Sequence, residues 1–258
     1  LNLINSSTDS VTNINGGDFL TEDGNYHAYI IKSNGKVNIN DGTFKNYGNK
    51  DTYNYSIYVG ENGHAIISGG DFNFSIFYNK GVTEINNLTD VVAKIGYNEG
   101  TLNINDSNLR ALQINNDKYM NFTHGITTRG GEININNSTI NCPYNIITGS
   151  NTNININGGK YTSDFSGSSS GAFIVGGNDI KILNSNVSGR INIQGNSIEE
   201  SNFNVKDCEI NGYIEARNTD FNIENTTVIT NYDKTTALWM SGCNANVISG
   251  TYINKNSD

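Results

Sequence analysis

Apolar and polar residues alternate in an eight-residue phrase that recurs eleven times along the chain, from TNINGGDF at 12–19 to ANVISGTY at 245–252. Its first and third positions are apolar and its second is polar, as in Val37, Asn38 and Ile39. That period of two predicts a short strand with one buried face. The fifth and sixth positions are filled by turn formers such as Asp41 and Gly42, Gly69 and Gly70, or Asn137 and Ser138, which tolerate left-handed backbone or bond their own main chain. A corner is predicted there, after which the eighth residue turns inward again as Phe19, Phe44, Phe72, Ile140, Tyr161 or Tyr252. A second strand-like stretch precedes most copies, as in IYVGENG (57–63), SIFYNKG (75–81) and ALWMSGC (237–243). Seven residues before the phrase sits an apolar residue, among them Ile30, Tyr58, Ile76, Ile126, Ile214 and Leu238, predicted to point inward. Gly often falls two residues before the phrase.

Successive phrases start 18 to 31 residues apart, so the phrase is fixed while the material between copies varies. A fixed phrase at such a period predicts a solenoid whose repeats bury their apolar edges against one another. Stacking at about 4.8 Å would bring equivalent residues into ladders. Sustained helical spacing is absent, and the one proline is Pro143. The expectation is therefore an all-β fold, a single-stranded right-handed parallel β-helix (β-solenoid) of about eleven coils filling residues 1–258 as one domain. The hand follows from the crossover rule for parallel strands. Asn makes up 48 of the 258 residues and occupies the second place of the phrase in eight of eleven copies, so stacked amides are expected to bond along the ladders. An AT-rich genome would also raise the Asn content.

On these residues the whole chain resembles right-handed parallel β-helices of the pectate-lyase-like type. Its NINGG-rich wording is similar to adhesin-like surface proteins of AT-rich anaerobic bacteria and archaea. The resemblance implies an architecture that hosts lyases, hydrolases, phage tailspikes and adhesins, so function must come from a site. The formal charge of −9 disfavours nucleic acid as a partner, and a polyanionic ligand too unless a local basic patch compensates. Cys142, Cys208 and Cys243 are odd in number and lack paired metal spacing, which predicts buried free thiols and no metal. No stretch is apolar enough to insert in a membrane, and the chain reads as an extracellular, cell-surface piece of a longer protein.

The variable segments 20–27, 45–55, 110–124, 162–171 and 229–236 are the natural places for function. Three are aromatic-rich, and Tyr47, Tyr53, Tyr55 and Tyr119 are candidate sugar contacts, although the same rings would equally serve to cover apolar edges. A second candidate is the outward file of Arg190, Glu215, Arg217 and Trp239, the last being the only Trp. There an exposed indole beside an Arg and a carboxylate would form a sugar platform, while Glu215 and Arg217 alone would amount to a surface ion pair. Strand carboxylates are scattered (Glu61, Glu84, Glu132, Glu215, Glu224), and most Asp residues sit at corners, so no catalytic pair, cofactor or metal site is expected. Outward N-x-N pairs hint at an ice-binding lattice, but Ile66, Glu84, Lys181 and Leu183 break it. The expected function is a non-catalytic adhesin or binding module for glycans or host surfaces, oligomeric state open. The alternative is a polysaccharide lyase or glycoside hydrolase of the same architecture, phage tailspike depolymerases included.

Overall fold

The computed structural model describes residues 2–21, 29–46, 55–73, 75–111, 124–143, 145–163, 172–175, 178–195, 201–231 and 235–255. They form 29 strands and, among the described residues, no helix. The strands make two long sheets of eleven and eighteen members, and the paired strands run parallel throughout. Successive strands of the eleven-stranded sheet follow chain order, each separated from the next by strands of the other sheet. The architecture is all-β and compatible with a solenoid.

The phrase sets the register of the eighteen-stranded sheet. Its third positions fall opposite one another, from Ile14 and Ile39 through Ile104, Ile135 and Ile156 to Val205, Ile223 and Val247. First positions form a second inward file (Leu102, Ile133, Ile154, Ile180, Phe203, Phe221) and eighth positions a third (Leu109, Ile140, Tyr161, Val187, Ile210, Val228). These files, with Ile31, Ile57, Phe77, Ile126, Ile147, Ile191 and Ile214 from the other sheet, make one continuous core. Each fully buried aliphatic or aromatic chain contributes about 1.5–3 kcal/mol relative to exposure. Within it Phe19, Phe44 and Phe72 stack with centroids 5.1 and 4.9 Å apart. Tyr161 is buried among aliphatics, and its hydroxyl donates to the Gly158 carbonyl at 2.9 Å.

The corners are where the phrase places them. Asn87, Asp106, Asn137, Asn184, Asp207 and Asn225, all fifth positions, have φ between 44° and 54°. Asn and Asp enter this left-handed region more readily than other residues with a Cβ. The glycine two before the phrase answers to close approach: a Cβ on Gly81, Gly100 or Gly131 would lie 2.1–2.3 Å from a carbonyl oxygen of the preceding repeat, and Gly131 also has φ of 75°. Outside the core, amides bond along the ladders as expected: Asn38 donates to Asn13 at 2.7 Å, Asn134 to Asn103 at 3.0 Å and Asn155 to Asn134 at 2.9 Å. Cys142 and Cys208 are buried, Cys243 is half-buried, and all three are free thiols. Burial pushes the Cys208 thiol up.

One inward assignment fails. Tyr58 lies in the outward file between Lys32 and Tyr78, while its neighbour Ile57 takes the inward place. Counting back seven residues presumes corners of constant length. Ile126, Ile147 and Ile214 obey the rule, whereas Ile31, Ile57 and Phe77 fall one residue to either side of it.

Candidate ligand-binding face

The outer face of the eleven-stranded sheet brings together the side chains with recognition chemistry. One outward file runs Lys32, Tyr58, Tyr78, Tyr97, Thr127 and Thr148, then past position 175 to Asn192, Glu215 and Trp239. Each member is a register partner of the next, stepping by about 4.8 Å, with a register shift between positions 172 and 174 where the file passes to Asn192.

At the C-terminal end of the file, Glu215 is nearly buried and lies between two guanidinium groups. Arg190 donates to its Oε2, and Arg217 Nη2 donates to its Oε1 at 2.6 Å. Charge-assisted bonds of this kind fix the carboxylate and both arginines in one arrangement. Arg190 also lies over the Tyr213 ring at 5.5 Å, and its buried Nε–H has no partner among the described residues. The Tyr213 phenol is pushed up, by burial first, with Arg190 opposing and Glu215 adding to the effect. Arg217 stands over the Trp239 indole at 4.7 Å, a cation–π contact that covers one ring face while the residue stays 41% exposed. The four residues of this candidate cluster are thus linked in a chain of contacts, Arg190 to Glu215 to Arg217 to Trp239, on the one face where the period-two alternation places them.

At the N-terminal end, Tyr58, Tyr78 and Tyr97 stack with centroids 5.6 and 4.9 Å apart and planes within 17° of parallel, and Tyr29 joins at 5.0 Å from Tyr58. Their faces are occupied by one another, which leaves ring edges and hydroxyls to meet solvent. Tyr78 donates to Glu99 at 3.2 Å, and Glu99 also pairs with Lys80 at 3.5 Å. Burial and the Glu99 charge push the Tyr78 phenol well above its usual range. Counting back seven residues puts Tyr58 inside, which hides this tyrosine file from the sequence. The usable signal was a Tyr three residues before the corner glycine, as in Tyr78 and Gly81 or Tyr97 and Gly100.

Tyr55 is a correction. It begins the strand Tyr55–Val59 and is only 3% exposed, its ring edge-on to Tyr78 at 5.5 Å and 6.0 Å from Lys94 Nζ. Burial holds the Lys94 ammonium down at about 8. The sequence predicts an exposed loop at Tyr55, but the strand already starts at this residue. Tyr47, Tyr53 and Tyr119 lie outside the described residues.

Acidic side chains are scarce on the strands of the eleven-stranded sheet. The strands of the eleven-stranded sheet carry Lys32, Lys94, Arg129, Arg190 and Arg217 against Glu215 alone. With Lys94 buried, four outward cations face one anion, a balance of +3 on a chain of net charge −9. Arg190 and Arg217 are both bound to Glu215, and Lys32 and Arg129 stand four rungs apart along the sheet. Among the described residues no group of three or more His, Cys, Asp or Glu side chains converges to hold a metal ion. The chain matches no protein-family model, no curated protein and no solved structure.

Proposed function

We propose that this chain is a non-catalytic binding module, a right-handed parallel β-helix of about eleven coils that presents the outer face of its eleven-stranded sheet to glycans at a cell surface. The uniform parallel pairing and the one-phrase, one-rung register support the architecture. Surface placement rests on the resemblance of its wording to adhesin-like proteins.

The observation that carries the binding reading is the Trp239 indole, exposed and held by Arg217 beside Glu215 at one end of a file that also bears three stacked tyrosines. An indole edge and face cover the apolar C–H surface of a sugar, while guanidinium N–H groups donate to its hydroxyl or carboxylate oxygens. The +3 balance of the face favours acidic glycans over neutral ones. The carboxylates nearest the face are committed to partners, Glu215 to two arginines and Glu99 to Lys80 and Tyr78, which supports binding rather than hydrolysis.

The test is binding to immobilised acidic and neutral polysaccharides at low and high salt, with Trp239→Ala and Arg217→Gln beside the parent. The reading predicts tighter binding to acidic glycans, weakened by salt. It also predicts at least about a tenfold loss, about 1.4 kcal/mol, in either variant. Parent-like binding by both variants, or no binding to any glycan, would refute it. Release of shortened products would replace it with the enzymatic reading.

A further inference from the structure

The outer face of the eighteen-stranded sheet carries a patch of uncharged amides on three of its middle rungs, in the strands Thr101–Asn105, Glu132–Cys142 and Asn153–Ser163. The second and fourth positions of the phrase lie on the same side of a strand, so their side chains form two files about 6.8 Å apart, the advance of two residues. In one file Asn134 donates to Asn103 at 3.0 Å and Asn155 to Asn134 at 2.9 Å. In the other, Asn105 donates to Asn86 and Asn136 to Asn105, both at 2.9 Å. Strand register sets each amide opposite its counterpart on the next rung, at about 4.8 Å.

Holding a ladder together uses only half of each amide. A side-chain amide has two N–H donors and two acceptor lone pairs, and stacking spends one of each. Asn155 gives its second N–H to Glu132 at 3.3 Å, but Asn103, Asn105, Asn134 and Asn136 give theirs to no described residue. These four, all half-buried or exposed, form a square of two rungs by two files. The carboxylates beside the square are engaged, Glu84 with His64 at 2.7 Å and Glu132 with Asn155. The square itself is neutral on a chain of net charge −9, which suits an uncharged partner that can exchange amide hydrogen bonds.

The spacing narrows the partner further. An acetamido group is the same secondary amide as the peptide unit. In crystalline polysaccharides of N-acetylated amino sugars, neighbouring chains are bonded N–H to O=C through their acetamido groups. That bond is the one that spaces β-strands, so the chains repeat at about the same 4.8 Å. A row of acetamido groups on such a surface meets a file of Asn side chains rung for rung, each Asn N–H donating to an acetamido oxygen. A single dissolved chain lacks the lateral row, and a crystalline glycan without acetamido groups lacks the matching amides.

We propose that the amide square of Asn103, Asn105, Asn134 and Asn136 docks on the surface of a crystalline N-acetylated polysaccharide. The site lies on the other sheet from Trp239 and does not depend on the acidic-glycan reading of that face. Its limits are set within the second-position file, where Glu84 precedes Asn103 and Lys181 follows Asn155. The neutral stretch between them covers three rungs, about 10 Å, and so meets about three neighbouring chains of the crystal.

The experiment measures depletion of the 258-residue chain from solution by powdered crystalline chitin, with crystalline cellulose as the control that lacks acetamido groups. The parent is compared with the double variant Asn134→Thr, Asn136→Thr and with Trp239→Ala, each checked for folding by circular dichroism. The parent is expected to bind chitin and not cellulose, and added salt should leave that binding unchanged because no charge is engaged. The double variant should bind at least about tenfold more weakly, having lost the hydrogen bonds of two amides, while Trp239→Ala binds as the parent does. No binding to chitin, or equal binding to cellulose, overturns the proposal. So does a double variant that binds like the parent. Loss in Trp239→Ala alone overturns it too, because the binding would then belong to the other sheet. Shaping of ice crystals without chitin binding would give the lattice to ice instead. If the double variant fails to fold, the parent's preference between chitin and cellulose decides.

Discussion

Replacing Phe44 by Ala removes a ring that is fully buried and held between Phe19 at 5.1 Å and Phe72 at 4.9 Å. Truncating a buried Phe costs about 3–5 kcal/mol. The upper half of that range is expected here, because both ring faces lose an aromatic partner and such pairs are each worth about 0.5–1.5 kcal/mol. In a stack whose repeats touch only their neighbours, the loss falls where the ring was. Amide exchange in Val11–Thr21, Lys36–Asn46 and Asp71–Phe72 should accelerate by more than about a hundredfold, since every 1.4 kcal/mol is tenfold. Exchange from Asn202–Lys206 onward should stay as in the parent. Val11→Ala, at a residue 63% exposed, is the control and should change stability by less than about 0.5 kcal/mol. A loss below about 1 kcal/mol for Phe44→Ala, or one spread evenly over the chain, would refute both the burial and the nearest-neighbour argument.

Other outcomes follow from single residues. Lys94 has its folded-state pKa lowered by burial from 10.5 to about 8, so between these values the unfolded chain binds a proton that the folded chain has released. Stability should therefore rise as pH climbs from about 8 towards 10, and Lys94→Met should abolish that rise and melt higher than the parent at neutral pH. Thermal melts up to about pH 10 check this, below the range where the raised Tyr78 and Tyr161 phenols dominate. Asn137, with φ at 45°, should tolerate Gly but lose about 1–2 kcal/mol as Val, read from urea titrations.

What the sequence made legible was whatever the phrase repeats without change. Inward Ile135 and outward Asn134 follow from alternation alone, and the left-handed corners at Asn137 and Asp207 follow from residue chemistry. The grouping of Glu215, Arg217 and Trp239 was also readable, because Ile214 and Leu238 stand at the same offset from their phrases. The rest depended on connections of varying length. Tyr58 was misplaced by one residue, and one residue in a strand is the whole difference between core and solvent. That slip hid the tyrosine file, since Tyr58, Tyr78 and Tyr97 align only once the corners are in place. Tyr55 was misjudged because polar neighbours 51–54 made its segment look like loop, while its ring is buried against Tyr78. The cationic face was invisible to a net charge of −9, a sum over the chain that conceals how five cations and one anion sort to a single sheet.

Cysteine cross-linking tests most directly whether the recognition residues stand in one file. Thr127 and Thr148 are register partners midway between the tyrosines and the Glu215 cluster. On a chain whose three native cysteines are replaced by alanine, Thr127→Cys with Thr148→Cys should form a disulfide readily, because neighbouring strands at about 4.8 Å lie within disulfide reach. Thr127→Cys with Gly149→Cys, one residue out of register and facing the other way, should not. Failure of the first pair, or equal cross-linking of both, would contradict the register from which the binding face is built.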